Sequence, residues 1–171
     1  MMAIVMWVET YAQHAQQLAA NPDAYGTDLR QNLEMGKGCD VVAVMHAQHA
    51  RERLARAVEL VVTDEADALL LPTAPIEAPP IGDEFTTVNG ETLPILLLLA
   101  SYTLLGNLSR LPTIAVPCGL GDTGLPTGVQ ITTAAGREAL ALNVAHQLEQ
   151  ALWPVEQRWR DLDRVAAPSR A

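Results

Sequence analysis

The stretch Leu111-Pro112-Thr113-Ile114-Ala115-Val116-Pro117-Cys118-Gly119, followed by Gly124-Leu125-Pro126-Thr127-Gly128-Val129-Gln130-Ile131-Thr132-Thr133, decides how this chain folds. Thr113–Val116 is short and rich in β-branched residues, and Pro117 stops it, which suits a strand buried on both faces. Val129–Thr133 alternates apolar and polar residues, the period of a second strand. Between them, Gly119-Leu120-Gly121-Asp122-Thr123-Gly124 matches G-x-G-x-x-G. A dinucleotide site needs a helix directly after that motif, because the helix N-terminus holds the pyrophosphate. Here Leu125-Pro126 and another strand follow, so the motif reads as a glycine-rich connection between strands.

Outward from this pair, Arg137 to about Leu152 reads as a helix, with Leu140, Val144, Leu148 and Leu152 stacked at i, i+4 spacing. The tail from Pro154 is polar and reads as peripheral. Upstream, Ala68-Leu69-Leu70-Leu71 is a third apolar strand stopped by Pro72, and a Pro-rich loop is expected from Pro72 to about Gly90. The apolar run Leu93–Leu105 is interrupted by Pro94, Ser101, Tyr102 and Thr103. It is shorter than the roughly 18 residues of a spanning helix and reads as buried core, with Leu96 to Leu99 filling that core rather than lining a pocket.

Nearer the start, Glu9–Ala20 has helical periodicity and is broken by Asn21-Pro22-Asp23. A short helix over Thr27–Met35 ends at Gly36-Lys37-Gly38, and Asp40 is placed to N-cap a long helix running to about Val62. Met1–Val8 fits a buried strand or the first turns of a helix equally well. It lacks the basic flank and small-residue cleavage site of a signal peptide. Strands mixed with long helices make the fold class α/β, and three visible strands covered on both faces leave open edges, the sign of a partial sheet completed by something else.

Composition narrows the function. The 171 residues are 49% apolar and 18% charged, which suits one packed core, here taken as a single partial domain over residues 1–171 with a peripheral tail over 153–171. A net charge of −9 repels phosphate backbones and anionic lipid, so neither nucleic acid nor a membrane is an expected partner. The two cysteines, Cys39 and Cys118, form no CxxC pair, and a reducing cytoplasm is the expected location. His46 and His49 share a helix face, but no spacing links them to His14 or His146, so neither a metal site nor a cofactor is expected.

Several motifs in order carry a resemblance. Ala68-Leu69-Leu70-Leu71-Pro72-Thr73-Ala74-Pro75 with Ala78-Pro79-Pro80-Ile81-Gly82, then Thr103-Leu104-Leu105-Gly106-Asn107, then Leu111–Gly119 and Gly124–Ile131, resemble the C-terminal part of amidase-signature proteins. Pro22–Gly26 and Asp28-Leu29-Arg30, ahead of an arginine-rich helix, fit as well, so that the resemblance covers about residues 9–152. It implies part of an α/β/α domain with a mixed β-sheet flanked by helices. It implies a parent amidohydrolase that cleaves carbon–nitrogen bonds of a small-molecule amide, through a serine activated by a second serine and a lysine in the N-terminal part of the domain. On the same ground Thr103, Gly106 and Asn107 are the candidate substrate-binding residues.

The catalytic residues themselves are not expected in this chain. A serine needs an adjacent base to become a nucleophile. The three serines, Ser101, Ser109 and Ser169, lie outside any Gly/Ser-rich loop, and the single lysine, Lys37, sits in a Gly-flanked loop that suits a solvated side chain. A triad of Ser109, His146 and Asp122 has nothing in its spacing to favour it. The expectation is therefore a C-terminal portion of an amidase-signature amidohydrolase that lacks its Ser-Ser-Lys segment and is inactive alone, partnered by a missing N-terminal segment or by itself. The alternative is a non-catalytic binding or assembly module derived from the same fold. Arg110 stands where the family usually has glycine, and a left-handed backbone there would strain arginine.

Overall fold

The computed structural model describes residues 2–166. The chain divides into two compact units, Met1–Arg56 and Ala57–Ala171.

The first unit is helical. Helix α1 spans Met2–Ala20, so the apolar start is helix rather than strand. A 3-10 turn at Pro22–Ala24 follows, then α2 (Thr27–Lys37) and α3 (Val41–Leu60), which runs on into the second unit. Asp40 caps α3 as its sequence position suggests: its carboxylate accepts from the Ala43 N–H at 3.0 Å. Leu18, Tyr25 and Leu33 form a buried cluster with Tyr11 packed against it. Gly36 brings α2 against α1, because a Cβ at that position would overlap the Trp7 carbonyl.

The second unit carries the sheet. After a π-helical turn at Val61–Glu65, β1 (Leu69–Pro72) leads to the hairpin β2 (Phe85–Val88) and β3 (Glu91–Pro94). Helix α4 (Ile95–Ser109), strands β4 (Thr113–Leu120) and β5 (Pro126–Thr132), and helices α5 (Glu138–Leu152) and α6 (Val155–Ala166) complete it. Strand order is β1-β5-β4, with β5 antiparallel to both neighbours. Mixed helices and strands confirm the α/β class.

Register explains the layers. Ile114 pairs with Ile131 and Val116 with Val129, so their side chains share one face. Val116, Ile131 and Ala145 of α5 are buried there together, with Ile114, Val129, Val144 and Leu148 around them. Thr113, Ala115, Gln130 and Thr132 lie on the opposite face, which receives α4. Gln130 is 3% exposed, and its amide donates to the carbonyls of Pro72 (3.3 Å) and Tyr102 (3.0 Å), joining β1 and α4 through the central strand. Beside it, Gly106 lets α4 approach: a Cβ there would stand 2.5 Å from Thr113 Oγ1.

Three sequence expectations need correction. The loop read over Pro72–Gly90 contains β2, and the connection to β3 is an Asn89-Gly90 turn with φ of 52° and 84°. Two left-handed residues in a two-residue loop make the type I′ turn that Asn-Gly favours. The Leu96–Leu99 segment is only partly core: Leu98 is buried, but Leu96 is 80% and Leu97 59% exposed. A helix that is apolar all round and meets neighbours on one side leaves the other side uncovered. Finally, Pro117 does not stop its strand: β4 continues through it to Leu120, with an irregularity of register between Pro117 and Gly119.

Helix α4 ends on a strained residue. Arg110 adopts the left-handed conformation (φ 59°, ψ 27°), and its N–H closes the helix on the Gly106 carbonyl at 3.0 Å. This is the position where glycine is free of a Cβ penalty. Arg110→Gly is therefore expected to stabilise the second unit by about 1 kcal/mol, read as a higher urea midpoint at unchanged slope. A fall in midpoint would show that the arginine side chain contributes more than its backbone strain costs.

Candidate functional site

A hollow of about 880 Å³ opens on the α4 face of the sheet. Its walls come from the loop Thr73–Pro80, from Ala115–Pro117 of β4 and Pro126–Gly128 of β5, and from Ile95 and Leu99 of α4. Local sequence explains this shape. Pro72 and the prolines after it end β1 and keep the loop from pairing as a strand. Gly128 leaves room for the loop to cross: Thr73 N–H donates to the Gly128 carbonyl at 2.8 Å, and a Cβ on Gly128 would stand 3.0 Å from Thr73 Oγ1. Opposite, β4 bulges, with register passing from Pro117–Gly128 to Gly119–Thr127. Pro117 has no N–H to give, and Gly119 takes a φ of 147° that favours glycine.

The glycine-rich motif is the turn of the β4–β5 hairpin. Gly124 N–H donates to the Gly121 carbonyl at 3.0 Å, and Gly121 N–H to the Leu125 carbonyl at 2.8 Å. No helix follows it, so the geometry for a pyrophosphate is not built here. Instead the turn binds a side chain of its own chain. Glu77 accepts from the Thr123 hydroxyl and from the Thr123 N–H at 3.2 Å. Gly121 leaves the space in which that carboxylate sits.

The Thr123 hydroxyl holds the Glu77 carboxyl below its ordinary value of 4.5. Partial burial opposes the shift, and the backbone N–H groups of Thr123, Asp122 and Leu125 add to it. A carboxyl depressed in the folded state stabilises above its unfolded value and loses that contribution as pH falls through the folded value. Glu77→Gln is thus expected to lower the melting temperature at pH 7. The gap to the wild type should shrink below about pH 4.5. A gap independent of pH would mean that the charge of Glu77 is not what ties the loop to the turn.

The residues expected from sequence stand beside this hollow rather than in it. Ile95, Leu99, Thr103 and Asn107 follow one another at four-residue steps and form one ridge of α4. The first two line the hollow, while Thr103 and Asn107 continue the ridge as exposed residues. Thr103 donates its hydroxyl to the Ala100 carbonyl at 3.2 Å. Gly106 is buried against Thr113 and presents nothing to the ridge. Sequence reading missed Glu77, Thr123 and Asp83; the first two are joined across 46 positions, which no local spacing can reveal.

Among the described residues, both serines are occupied. Ser101 donates to the Leu98 carbonyl at 2.7 Å, and buried Ser109 donates to the Gly106 carbonyl at 3.2 Å. His146 and Asp122 are exposed, and Lys37 is exposed beside Glu34 at 3.6 Å. Ser169 lies outside the described residues.

The family model described as Amidase matches residues 12–142. The chain belongs to the amidase family. An amidase of Pseudomonas putida is 33% identical over 122 residues, 71% of this chain and 26% of that protein. A 6-aminohexanoate-cyclic-dimer hydrolase of Pseudomonas sp. (strain NK87) is 40% identical over 93 residues, 50% of this chain and 19% of that one. A crystal structure of an amidase superposes with a TM-score of 0.78 at 27% identity, covering 88% of this chain and 34% of its own. The chain thus spans only 19% to 34% of the length of these amidase-family proteins. Among the described residues, no helix is long and apolar enough to cross a membrane.

Proposed function

We propose that the chain is the C-terminal portion of an amidase-signature amidohydrolase, one partial domain that contributes substrate-binding wall while the nucleophile comes from a segment outside these 171 residues. The observation that carries this reading is the occupation of Ser101 and Ser109, each donating to a main-chain carbonyl three residues earlier on α4. A hydroxyl engaged in that way is a weak nucleophile, and among the described residues no basic side chain is bonded to either serine. Further support comes from surfaces that suit a covering layer. Leu96 and Leu97 are exposed, and among the described residues β1 and β4 each have one strand neighbour. Thr103 and Asn107 belong to the binding wall, at the end of the α4 ridge that leaves the hollow, and Gly106 supports that wall from behind by letting α4 pack against Thr113. The partner is the remainder of the amidase domain. Free Cys39 and Cys118 suit a reducing cytoplasm.

Two assays test this. The pure chain, mixed with a panel of small amides, is expected to release no ammonia above background. Release that disappears in Ser109→Ala would overturn the proposal and restore a local nucleophile. In the second assay, residues 12–142 replace the matching segment of the Pseudomonas putida amidase. An active hybrid is the expected result; a soluble, folded and inactive hybrid would count against the wall role.

A further inference from the structure

The chemistry lining the hollow suggests which amides it suits, and this step rests on the amide-hydrolase reading above. The volume of about 880 Å³ lies within the range of small-ligand sites. Ile76, Ile95, Leu99, Ala115, Pro117 and Pro126 give it an apolar wall. Its polar lining among the described residues is Thr73, Glu77, Asp83, Thr86, Thr123 and Thr127, two carboxylates and four hydroxyls with no basic side chain.

These groups differ in what they have left to offer. Glu77 is committed to Thr123. Asp83 is exposed, at the end of the loop where Gly82 turns with a φ of 98° and the Asp83 N–H donates to the Pro80 carbonyl at 3.3 Å. Thr73 is the opposite case: its hydroxyl oxygen is buried and has no hydrogen-bond partner. A buried hydroxyl without a partner is unfavourable by itself, and an amide group, which both donates and accepts, satisfies it. The hollow thus combines an idle buried hydroxyl, an apolar wall and an exposed carboxylate, two polar groups of different kinds.

We infer that this hollow takes amides whose acyl chain is apolar and ends in a cationic group, with Thr73 meeting the amide and Asp83 meeting the cation. Carboxylate-tailed amides are disfavoured because two negative charges and no positive one face them.

Three probes sharing the chain (CH2)4-CONH2 separate the contributions: 5-aminopentanamide, hexanamide and adipamic acid carry an ammonium, a methyl and a carboxylate at the far end. They are titrated into the isotopically labelled chain at low ionic strength, followed by the amide shifts of residues 73–86 and 126–128. 5-Aminopentanamide is expected to bind about tenfold more tightly than adipamic acid, with hexanamide between them. Asp83→Asn is expected to remove most of that spread while leaving hexanamide unchanged, and Thr73→Val to weaken all three. Equal affinities for the three probes, or a spread untouched by Asp83→Asn, would overturn the inference. So would saturable shifts confined to residues elsewhere, or no saturable shift at all. None of these outcomes decides the amidase reading, which depends on ammonia release and the hybrid enzyme.

Discussion

Ile131→Ala is expected to destabilise the second unit by about 2–5 kcal/mol, the range for removing a large aliphatic side chain from a packed core. Ile131 is fully buried on the central strand, and register places it between Leu70 of β1 and Ile114 of β4. Val116 and Ala145 close over it, so the neighbours cannot collapse into the space without moving α5 off the sheet. Small domains have a total stability of about 5–15 kcal/mol, so this single change removes a large share of it. Urea unfolding followed by circular dichroism should show a much lower midpoint. Ile131→Val, which leaves most of the volume filled, is expected to cost only about 0.5–1.5 kcal/mol. An alanine variant within about 1 kcal/mol of the wild type would mean that the α5 face of the sheet is not the core of this unit.

Trp153→Ala is expected to release α6, with a cost of about 3–5 kcal/mol to the packing of that helix. Trp153 is 2% exposed and stands between α5 and α6, where it ends the former on the Glu149 carbonyl. Its indole N–H donates to Asp161 at 3.0 Å, and the Arg158 guanidinium lies 5.6 Å from the ring centroid. Arg158 in turn reaches Glu149 at 2.7 Å. Removing the indole takes away the surface on which these charged groups are ordered. Limited trypsin digestion should then cut early at Arg158 and Arg160, before the sheet unfolds. If α6 stays protected, its position depends on the Arg158–Glu149 pair instead, which Glu149→Gln would show.

Much of this architecture was legible in the residues. Strands β1 and β4 announced themselves by short apolar runs leading to a proline, β5 by its alternation, and α5 by apolar residues at i, i+4 spacing. Asp40 was a cap by its position alone. What was missed was either local and overlooked or distant and unreadable. The hairpin of β2 and β3 carried its signal in Asn89-Gly90, hidden among the prolines of a stretch that otherwise reads as loop. The exposure of Leu96 and Leu97 could not be read, because a helix apolar on every side does not say which side is covered. The link from Glu77 to Thr123 depends on β1 and β5 being neighbours, a fact of topology rather than of spacing. Thr103 and Asn107 were singled out through the family resemblance alone, and the structure adds that they extend the ridge begun by Ile95 and Leu99.

The pairing of β1 with β5 also has a kinetic consequence. β4 and β5 are joined by a short turn and can zip early, whereas Leu69 must find Thr132 roughly sixty residues away. Closing so long a loop carries an entropic cost before any of its contacts form, and pairings of high sequence separation fold slowly. During synthesis, β1 emerges well before the strand that will shelter it, with Leu69–Leu71 and the apolar start of α4 both waiting for partners. The interval between those events is when this chain is most exposed to association with its own copies, so its yield in a cell should depend on how quickly β5 arrives and on what holds β1 until then.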